Sequence, residues 1–230
     1  MLDRAVTYAE IHDGRLILGH LASFVSYPIV PTGIDPTLSH PISLVQASDK
    51  TLNFLQTESA LCAVPMTRVI EIQNDNQSTS DNSSNQILNS SVHIQSEFLL
   101  CFKKTAVYVD SFTGQRTRQT EIQYPTPAEY ICYNNHLGAL LVFTNRGIDI
   151  FSVQNAEWIQ SIPIKNATPL NNYGRLVKGT DSQGVNRYLY IRKNPKSNSL
   201  EIDWFKPGGL VGDDGLQKVG NVFFDLETAA

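Results

Sequence analysis

The stretches SEFLLCFKKTAVYVDSFTGQRTRQ (Ser96–Gln119) and GIDIFSVQNAEWIQSIPIKNATPLNN (Gly147–Asn172) decide the fold of this 230-residue chain. Each has the pattern of two strands joined by a tight connection, with apolar residues at alternate positions. Neither contains a nucleophile beside a base, a cluster of metal-ligating residues or a glycine-rich phosphate loop. The two stretches therefore predict a sheet surface suited to binding and not a reaction centre.

Similar strand patterns recur along the rest of the chain. They cover residues 15–18, 24–29, 60–64, 69–72, 97–102, 106–110, 129–133, 139–144, 148–153, 158–162, 187–192 and 200–205. One segment, Thr51–Gln56 (TLNFLQ), follows a capping residue and predicts a single short helix. Many short strands with one helix favour an all-β sandwich, barrel or propeller. At roughly 40 residues per propeller blade, the chain holds about four to five blades.

Two polar segments interrupt these patterns. Residues 73–95 include an Asn/Ser-rich tract with almost no apolar side chains, which predicts a flexible insertion between two paired strands. A linker between domains is the alternative interpretation of this tract. Residues 1–206 then form one domain, and the Gly-rich tail 207–230 is expected to be weakly ordered or to add one strand around Val222–Asp225.

The charge and the cysteine content indicate which partners the chain can bind and in which cellular compartment it lies. The net charge of −4 argues against nucleic-acid binding, which usually needs a basic excess. Cys62, Cys101 and Cys132 each lie in an apolar run, which predicts reduced core thiols in a cytoplasmic protein and no disulfide framework. The N-terminus has no apolar signal region, and no run has the length of a membrane span.

The residues that carry catalytic or metal chemistry are scattered along the sequence. His12 and His20 flank one predicted hairpin, but two ligands are too few for zinc. The chain has no G-x-S-x-G elbow, no phosphate-binding loop and no kinase motif. The Gly-rich run 208–215 lacks the alternating carboxylates of a calcium loop. We therefore predict no catalytic residue, no cofactor and no metal site.

Arg116 and Arg118 form the most notable polar cluster. They follow a tight turn, so both guanidinium groups can project from one side of a strand and bind a carboxylate or phosphate of a protein partner. The alternative is a structural role, in which they pair with Glu121 or Glu129 on neighbouring strands. Trp158 and Trp204 lie in strand patterns, and we expect each to lie in the core or as a wedge between blades and not as an exposed anchor.

Five motifs in a fixed order resemble the citron homology (CNH) domain. They are Gly14–Ile29, Pro41–Gln56 with Ala60–Val64, Ser96–Asp110, Gly114–Arg118 and Asp149–Asn171, and they span about three-quarters of the chain. The resemblance is closest to the CNH region of the myotonic dystrophy-related kinases that bind Rho-family GTPases, the MRCK group.

The resemblance implies a partial β-propeller that lacks the family's N-terminal blades. It also implies a noncatalytic regulatory module of a Rho-effector kinase in actin and myosin control, located in the cytoplasm. The implied partner is a Rho- or Ras-family small GTPase or a cytoskeletal protein. The alternatives are a CNH module of a citron-like protein, of a Rho guanine-nucleotide exchange factor or of an endosomal tethering subunit, and more remotely a propeller hydrolase.

Overall fold

The computed structural model of the chain describes residues 5–29, 40–45, 49–73, 90–193, 199–207 and 216–225. Within them the backbone forms four antiparallel sheets whose strands pair in chain order. Sheet 1 contains β1 (Tyr8–His12), β2 (Arg15–His20), β3 (Ser23–Pro28) and β4 (Ile42–Ser43). Sheet 2 contains β5 (Ala60–Gln73), β6 (Ser90–Phe102), β7 (Thr105–Asp110) and β8 (Ile122–Gln123). Sheet 3 contains β9 (Tyr130–Asn134), β10 (Ala139–Phe143), β11 (Ile148–Ser152) and β12 (Trp158–Ile162). Sheet 4 contains β13 (Lys165–Pro169), β14 (Leu176–Thr180), β15 (Asn186–Lys193), β16 (Ser199–Pro207) and β17 (Leu216–Asp225).

The two middle sheets are buried on both faces. In β6, Phe98, Leu100 and Phe102 pack in a cluster with sheet 1, whereas the intervening Leu99 and Cys101 pack in a cluster with sheet 3. Strand β10 alternates in the same way between sheets 2 and 4. Burial of both faces requires apolar residues at consecutive positions, which explains the runs FLLCF and ALLVF. Full burial of each large apolar side chain contributes roughly 1.5–3 kcal/mol of transfer free energy.

The first strands of successive sheets lie next to one another. Contacts join β1 to β5, β5 to β9 and β9 to β13, while the later strands of each sheet continue away from this line. Four stacked sheets whose first strands meet around an axis are the blades of a β-propeller-like fold. The predicted all-β, propeller-like class is therefore confirmed, with four blades in the described residues.

The predicted helix is a short 3-10 helix, Lys50–Thr57. Asp49 caps it, since its carboxylate accepts a hydrogen bond of 2.9 Å from the backbone N–H of Thr51. Leu52 and Leu55 are buried against sheets 1 and 2, and Phe54 is exposed. The three-residue spacing of the two leucines matches the period of a 3-10 helix, which places both on one face.

Strands β5 and β6 form a hairpin longer than the sequence patterns indicated. The two predicted strands 60–64 and 69–72 are one strand, β5, which runs through Pro65. Pro is tolerated there because β5 is the edge strand of sheet 2, where an absent N–H on the open side removes no ladder bond. Gln73 and residues 90–95 of the predicted insertion belong to β5 and β6. Residues 74–89 lie outside the described part, and the flexible insertion stays a prediction.

The C-terminal prediction also changes in detail. Leu216–Asp225 forms β17, which pairs with β16. This strand contains the predicted strand Val222–Asp225 and begins earlier, at Leu216. The Gly-rich run 208–215 lies outside the described residues. Assignment of 1–206 to one domain stays a prediction.

The prediction that Trp158 is buried in the core or between blades is wrong, because Trp158 is 53% exposed. Trp158 begins β12, the last strand of sheet 3, and its indole N–H contacts the exposed Ser161. Trp204 lies in β16, and its side chain lies outside the described part of the chain.

Candidate functional site

A buried carboxylate lies at the seam between sheets 2 and 3. Glu97 precedes the apolar run of β6, and its side chain has no exposed surface. Arg118, from the connection between β7 and β8, binds it with Nη2 at 2.6 Å from Oε2 and Nε at 3.4 Å from Oε1. Two contacts between a planar guanidinium and a carboxylate form a charge-assisted pair, which compensates for the loss of water.

Arg118 also joins the two sheets. Its guanidinium carbon lies 4.0 Å from the centre of the Tyr108 ring, and its Nη1 donates a hydrogen bond of 2.6 Å to the backbone carbonyl of Gln154 in the turn after β11. Tyr108 in turn donates from its hydroxyl to the carbonyl of Val153 at 3.0 Å. Burial raises the pKa of Tyr108 to about 12, so this hydroxyl remains a donor. The seam is therefore fixed by polar contacts as well as by apolar packing.

The side chain of Arg116 contacts other residues of the same β7–β8 connection. Its Nε and Nη2 donate to the carbonyls of Arg118 and Gln119 at 2.8 and 2.7 Å, and Nη2 lies 3.1 Å from Oε2 of Glu121. The ion pair with Glu121 is the one that the structural interpretation of the sequence expected. Partner binding by Arg116 and Arg118 stays a prediction, although both side chains are mostly buried in contacts within the chain.

The start of the connection is a tight turn organised by Asp110. Its Oδ1 accepts hydrogen bonds from the backbone N–H groups of Phe112 and Thr113 at 3.0 and 2.8 Å. Burial alone would raise the pKa of Asp110, but these N–H donors and the Gln95 amide bind the charged form and lower it. Gly114 completes the turn with φ of 67°, in the left-handed region that favours glycine.

Two concave surfaces lie around this connection. A groove of about 860 Å³ runs between β5, the connection and the turn after β11. Thr67, Arg68, Val69, Thr117, Arg118, Gln119, Thr120, Gln154 and Asn155 line it. A smaller cleft of about 430 Å³ lies beside the turn between β1 and β2 and includes Phe112, whose side chain is 66% exposed.

A third cavity, of about 820 Å³, lies beside the first strands β1, β5 and β9. Tyr8, Cys62 and Cys132 are among its lining residues. Burial raises the pKa of Tyr8 and raises that of Cys132 to about 12, and contact with Cys101 together with burial raises that of Cys62. A thiol with a raised pKa is a weak nucleophile, which argues against Cys62 and Cys132 as reactive groups in this cavity.

The cysteines and histidines form no metal centre in the described residues. All three cysteines are free in the structure, and Cys101 and Cys132 are buried. His12 and His20 lie near opposite ends of the β1–β2 hairpin and are not brought together. Within the described ranges, no three His, Cys, Asp or Glu side chains are grouped so as to hold a metal ion.

Sequence reasoning missed Glu97, Arg68 and the exposed edge of β5. Glu97 carried a signal, because a lone acidic residue beside an apolar strand (EFLLCF) must be paired if it is buried. Neither Arg68 nor the edge of β5 gave such a signal in the sequence, because their exposure depends on how far the β5–β6 hairpin extends.

Comparison with known proteins identifies the family. The model of the CNH domain family matches residues 32–173, more than half of the chain. Human serine/threonine-protein kinase MRCK alpha is 31% identical over 173 residues, which cover 74% of this chain and 8% of the kinase. Genghis Khan, a serine/threonine-protein kinase of Drosophila melanogaster, is 34% identical over 173 residues, which cover 73% of this chain and 8% of that kinase.

A solved structure shares the fold. The AfRom2 CNH domain superposes with a TM-score of 0.53 at 16% identity and covers 80% of this chain and 50% of that one. In the described residues no helix is long and apolar enough to cross a membrane. The resemblance predicted from the five motifs is confirmed, and this chain belongs to the CNH domain family, a family of noncatalytic modules, with no kinase domain evident in it.

Proposed function

We propose that this chain is the regulatory, protein-binding module of a Rho-GTPase effector kinase that acts in the cytoplasm on the actin and myosin cytoskeleton. The similarity to MRCK-type kinases over almost three-quarters of the chain carries the proposal. Because the chain spans only 8% of the length of these kinases, their activity belongs to regions that it does not match.

The rim that contains the β7–β8 connection supports a protein partner. Phe112, Val69 and Ile94 expose about two-thirds of their side chains there, and Val69 and Ile94 are direct neighbours across the β5–β6 hairpin. Exposed large apolar side chains grouped on one rim are typical of a protein-binding surface. The ion pair of Glu97 with Arg118 fixes the connection beneath them, which reduces the entropy that binding must overcome.

The predicted roles of Arg116 and Arg118 take a more specific form in this proposal. Arg116 fixes the shape of the connection through the carbonyls of Arg118 and Gln119, while Arg118 also lines the groove beside it. Arg118 is then the arginine of the two that a bound partner can contact.

A pull-down tests the proposal. The full chain is immobilised and incubated with Rho- and Ras-family GTPases loaded with GDP or with a non-hydrolysable GTP analogue. We expect the GTP form of at least one GTPase to be retained, and Phe112→Ser to weaken the retention. The matched control is Val185→Ser, at an exposed residue in the turn between β14 and β15. Equal lack of retention of every GTPase in both nucleotide states removes the GTPase from the proposal.

A further inference from the structure

One face of sheet 1 is apolar and lies outside the apolar clusters formed by the described residues. The register of β1, β2 and β3 places six side chains on this face in two adjacent rows: Ala9, Leu18 and Val25, then Ile11, Leu16 and Tyr27. Ala9 and Ile11 are exposed, Ile11 by 66%, and the other four are partly buried. None of the six belongs to the three described clusters, whereas Ile17 and Phe24 on the opposite face pack against sheet 2. A contiguous exposed apolar face of this kind is typical of an interface.

The last sheet also has a free apolar face. Val177, Leu189 and Ile191 of β14 and β15 pack toward sheet 3, so the residues that alternate with them lie on the opposite face. That face carries Leu176, Tyr188 and Tyr190, which are partly buried and also lie outside the described clusters. The stack of four sheets therefore has an apolar face at each end.

The contacts within the chain indicate how these two faces can meet. Each sheet packs on the next sheet in chain order, and the first strands β1, β5, β9 and β13 lie side by side. Continuation of this arrangement packs the free face of sheet 4 on the free face of sheet 1 of a second copy. The first strand of sheet 4, β13, then lies beside β1 of that copy. A contact between two copies of sheet 1 would not repeat the arrangement.

The size of the free faces favours a closed pair of chains. Three strands of about five residues have a footprint of about 240 Å², at ~4.8 Å between strands and ~3.3 Å per residue. One contact then buries about 500 Å² in total, as crystal-packing contacts do, whereas two contacts bury about 1,000 Å², which a specific interface needs. Two copies supply eight sheets, within the range of about four to eight blades in propellers. This chain covers 50% of the AfRom2 CNH domain, so a second copy supplies about as much fold as the AfRom2 chain has in addition.

We infer that two copies of this chain associate into a closed ring of eight sheets, in which the free face of sheet 1 of each copy packs on the free face of sheet 4 of the other. The second copy is the occupant because each chain carries both faces, in the orientation in which its own sheets already pack. The ring has two-fold symmetry and buries both free faces of both copies. The inference does not depend on the proposed GTPase partner.

Sedimentation velocity of the full chain at increasing concentrations tests the inference. We expect a monomer–dimer equilibrium without larger species, because the ring is closed. Ile11→Lys on sheet 1 and Tyr190→Glu on sheet 4 should each raise the Kd of the dimer at least about tenfold, since each buries a charge without a partner. Ile94→Lys is the matched control, because Ile94 has the same 66% exposure as Ile11 but lies in β6 of sheet 2. We expect it to change the Kd less than about twofold, as its charge stays in water and is screened by salt.

A mixture of the two interface variants separates this ring from a contact between like faces. In the mixed dimer, one contact is unaltered and the other brings the lysine of Ile11→Lys near the glutamate of Tyr190→Glu. We therefore expect the mixed dimer to have a lower Kd than either variant alone. Unfolded chains could not form this dimer, so its appearance also shows that both variants fold. In the unaltered chain, the thermal midpoint should rise with chain concentration, because association stabilises the folded state.

The inference is overturned if the chain sediments as a monomer at about 100 μM, a concentration that would reveal even a weak interaction. A monomer would leave the face of sheet 1 to a different protein or to further residues of a longer chain. The inference is also overturned if only one of Ile11→Lys and Tyr190→Glu weakens the dimer, or if Ile94→Lys weakens it as much as Ile11→Lys. Accumulation of species larger than a dimer overturns it as well, since the faces then meet without closing a ring.

Discussion

Replacement of Arg118 by Met is the most informative perturbation of the seam between sheets 2 and 3. Met keeps the length and the apolar stem of the side chain but removes the guanidinium. Glu97, which has no exposed surface, then loses the partner that binds both of its oxygens. The contact with the Tyr108 ring and the hydrogen bond to the carbonyl of Gln154 are lost as well.

The contacts of Glu97 set the expected loss of folding stability in Arg118→Met. Removal of one partner of a buried ion pair costs about 3–5 kcal/mol, because the remaining charge stays buried without compensation. Arg68 lies 3.9 Å from Glu97 and can move toward it, which places the expected loss near the lower end, at about 3 kcal/mol. If Glu97→Met is added to Arg118→Met, both charges are gone, and we expect stability to return to within about 1–2 kcal/mol of the wild type.

Urea unfolding followed by circular dichroism gives the free energy of unfolding of each variant. Arg187→Met is the control, because its partner Asp181 keeps contact with water, so we expect a much smaller loss of stability than for Arg118→Met. A loss below about 1 kcal/mol for Arg118→Met refutes the reasoning. The reasoning is also refuted if the variant with both Arg118→Met and Glu97→Met loses as much free energy of unfolding as the two single variants together.

Three other outcomes follow from the described contacts. Asp110→Asn should destabilise the chain at neutral pH and have less effect in acid. The lowered pKa of Asp110 gives stability that is complete above its unfolded pKa of about 3.9 and is lost as the pH falls through the folded value, which urea midpoints at several pH values will show. Gly114→Ala should destabilise the fold by more than about 1 kcal/mol, since the added Cβ would lie 2.2 Å from the carbonyl oxygen of Ser43 at a left-handed φ; thermal melts will measure this. Cys132, with its pKa raised to about 12, should react with a thiol reagent at pH 8 far more slowly in the native chain than in urea; equal rates would contradict the burial.

The strands of sheet 3 and most of those of sheet 2 could be predicted from the sequence because their apolar runs are bounded by clear turn residues, whereas the two-residue strand β8 could not. Residues 139–144 and 148–153, for example, correspond closely to β10 and β11. Strand β13 was missed, since KNATP has neither apolar alternation nor strong strand formers. The continuity of β5 through Pro65 was missed because the sequence does not show that β5 is an edge strand, where Pro is tolerated.

The candidate site was only partly predictable. The position of Arg116 and Arg118 after a tight turn indicated a shared polar cluster, and the structure places both in the β7–β8 connection. Their partners depend on packing between sheets, since the Gln154 carbonyl that Arg118 binds is 36 residues away in the chain. The exposure of Trp158 likewise depends on β12 being the last strand of its sheet, which no local pattern encodes.

The burial of sheets 2 and 3 on both faces has a consequence during synthesis. A ribosome that has released residues only as far as Ile162 has completed sheet 3, but Leu141, Phe143 and Ile150 still lack the cover that sheet 4 supplies. Until about forty more residues emerge, the nascent chain exposes an apolar sheet face with high strand propensity. Such a face promotes aggregation with other chains. We expect chaperones to engage the growing polypeptide at this stage and to release it once Val177, Leu189 and their neighbours arrive.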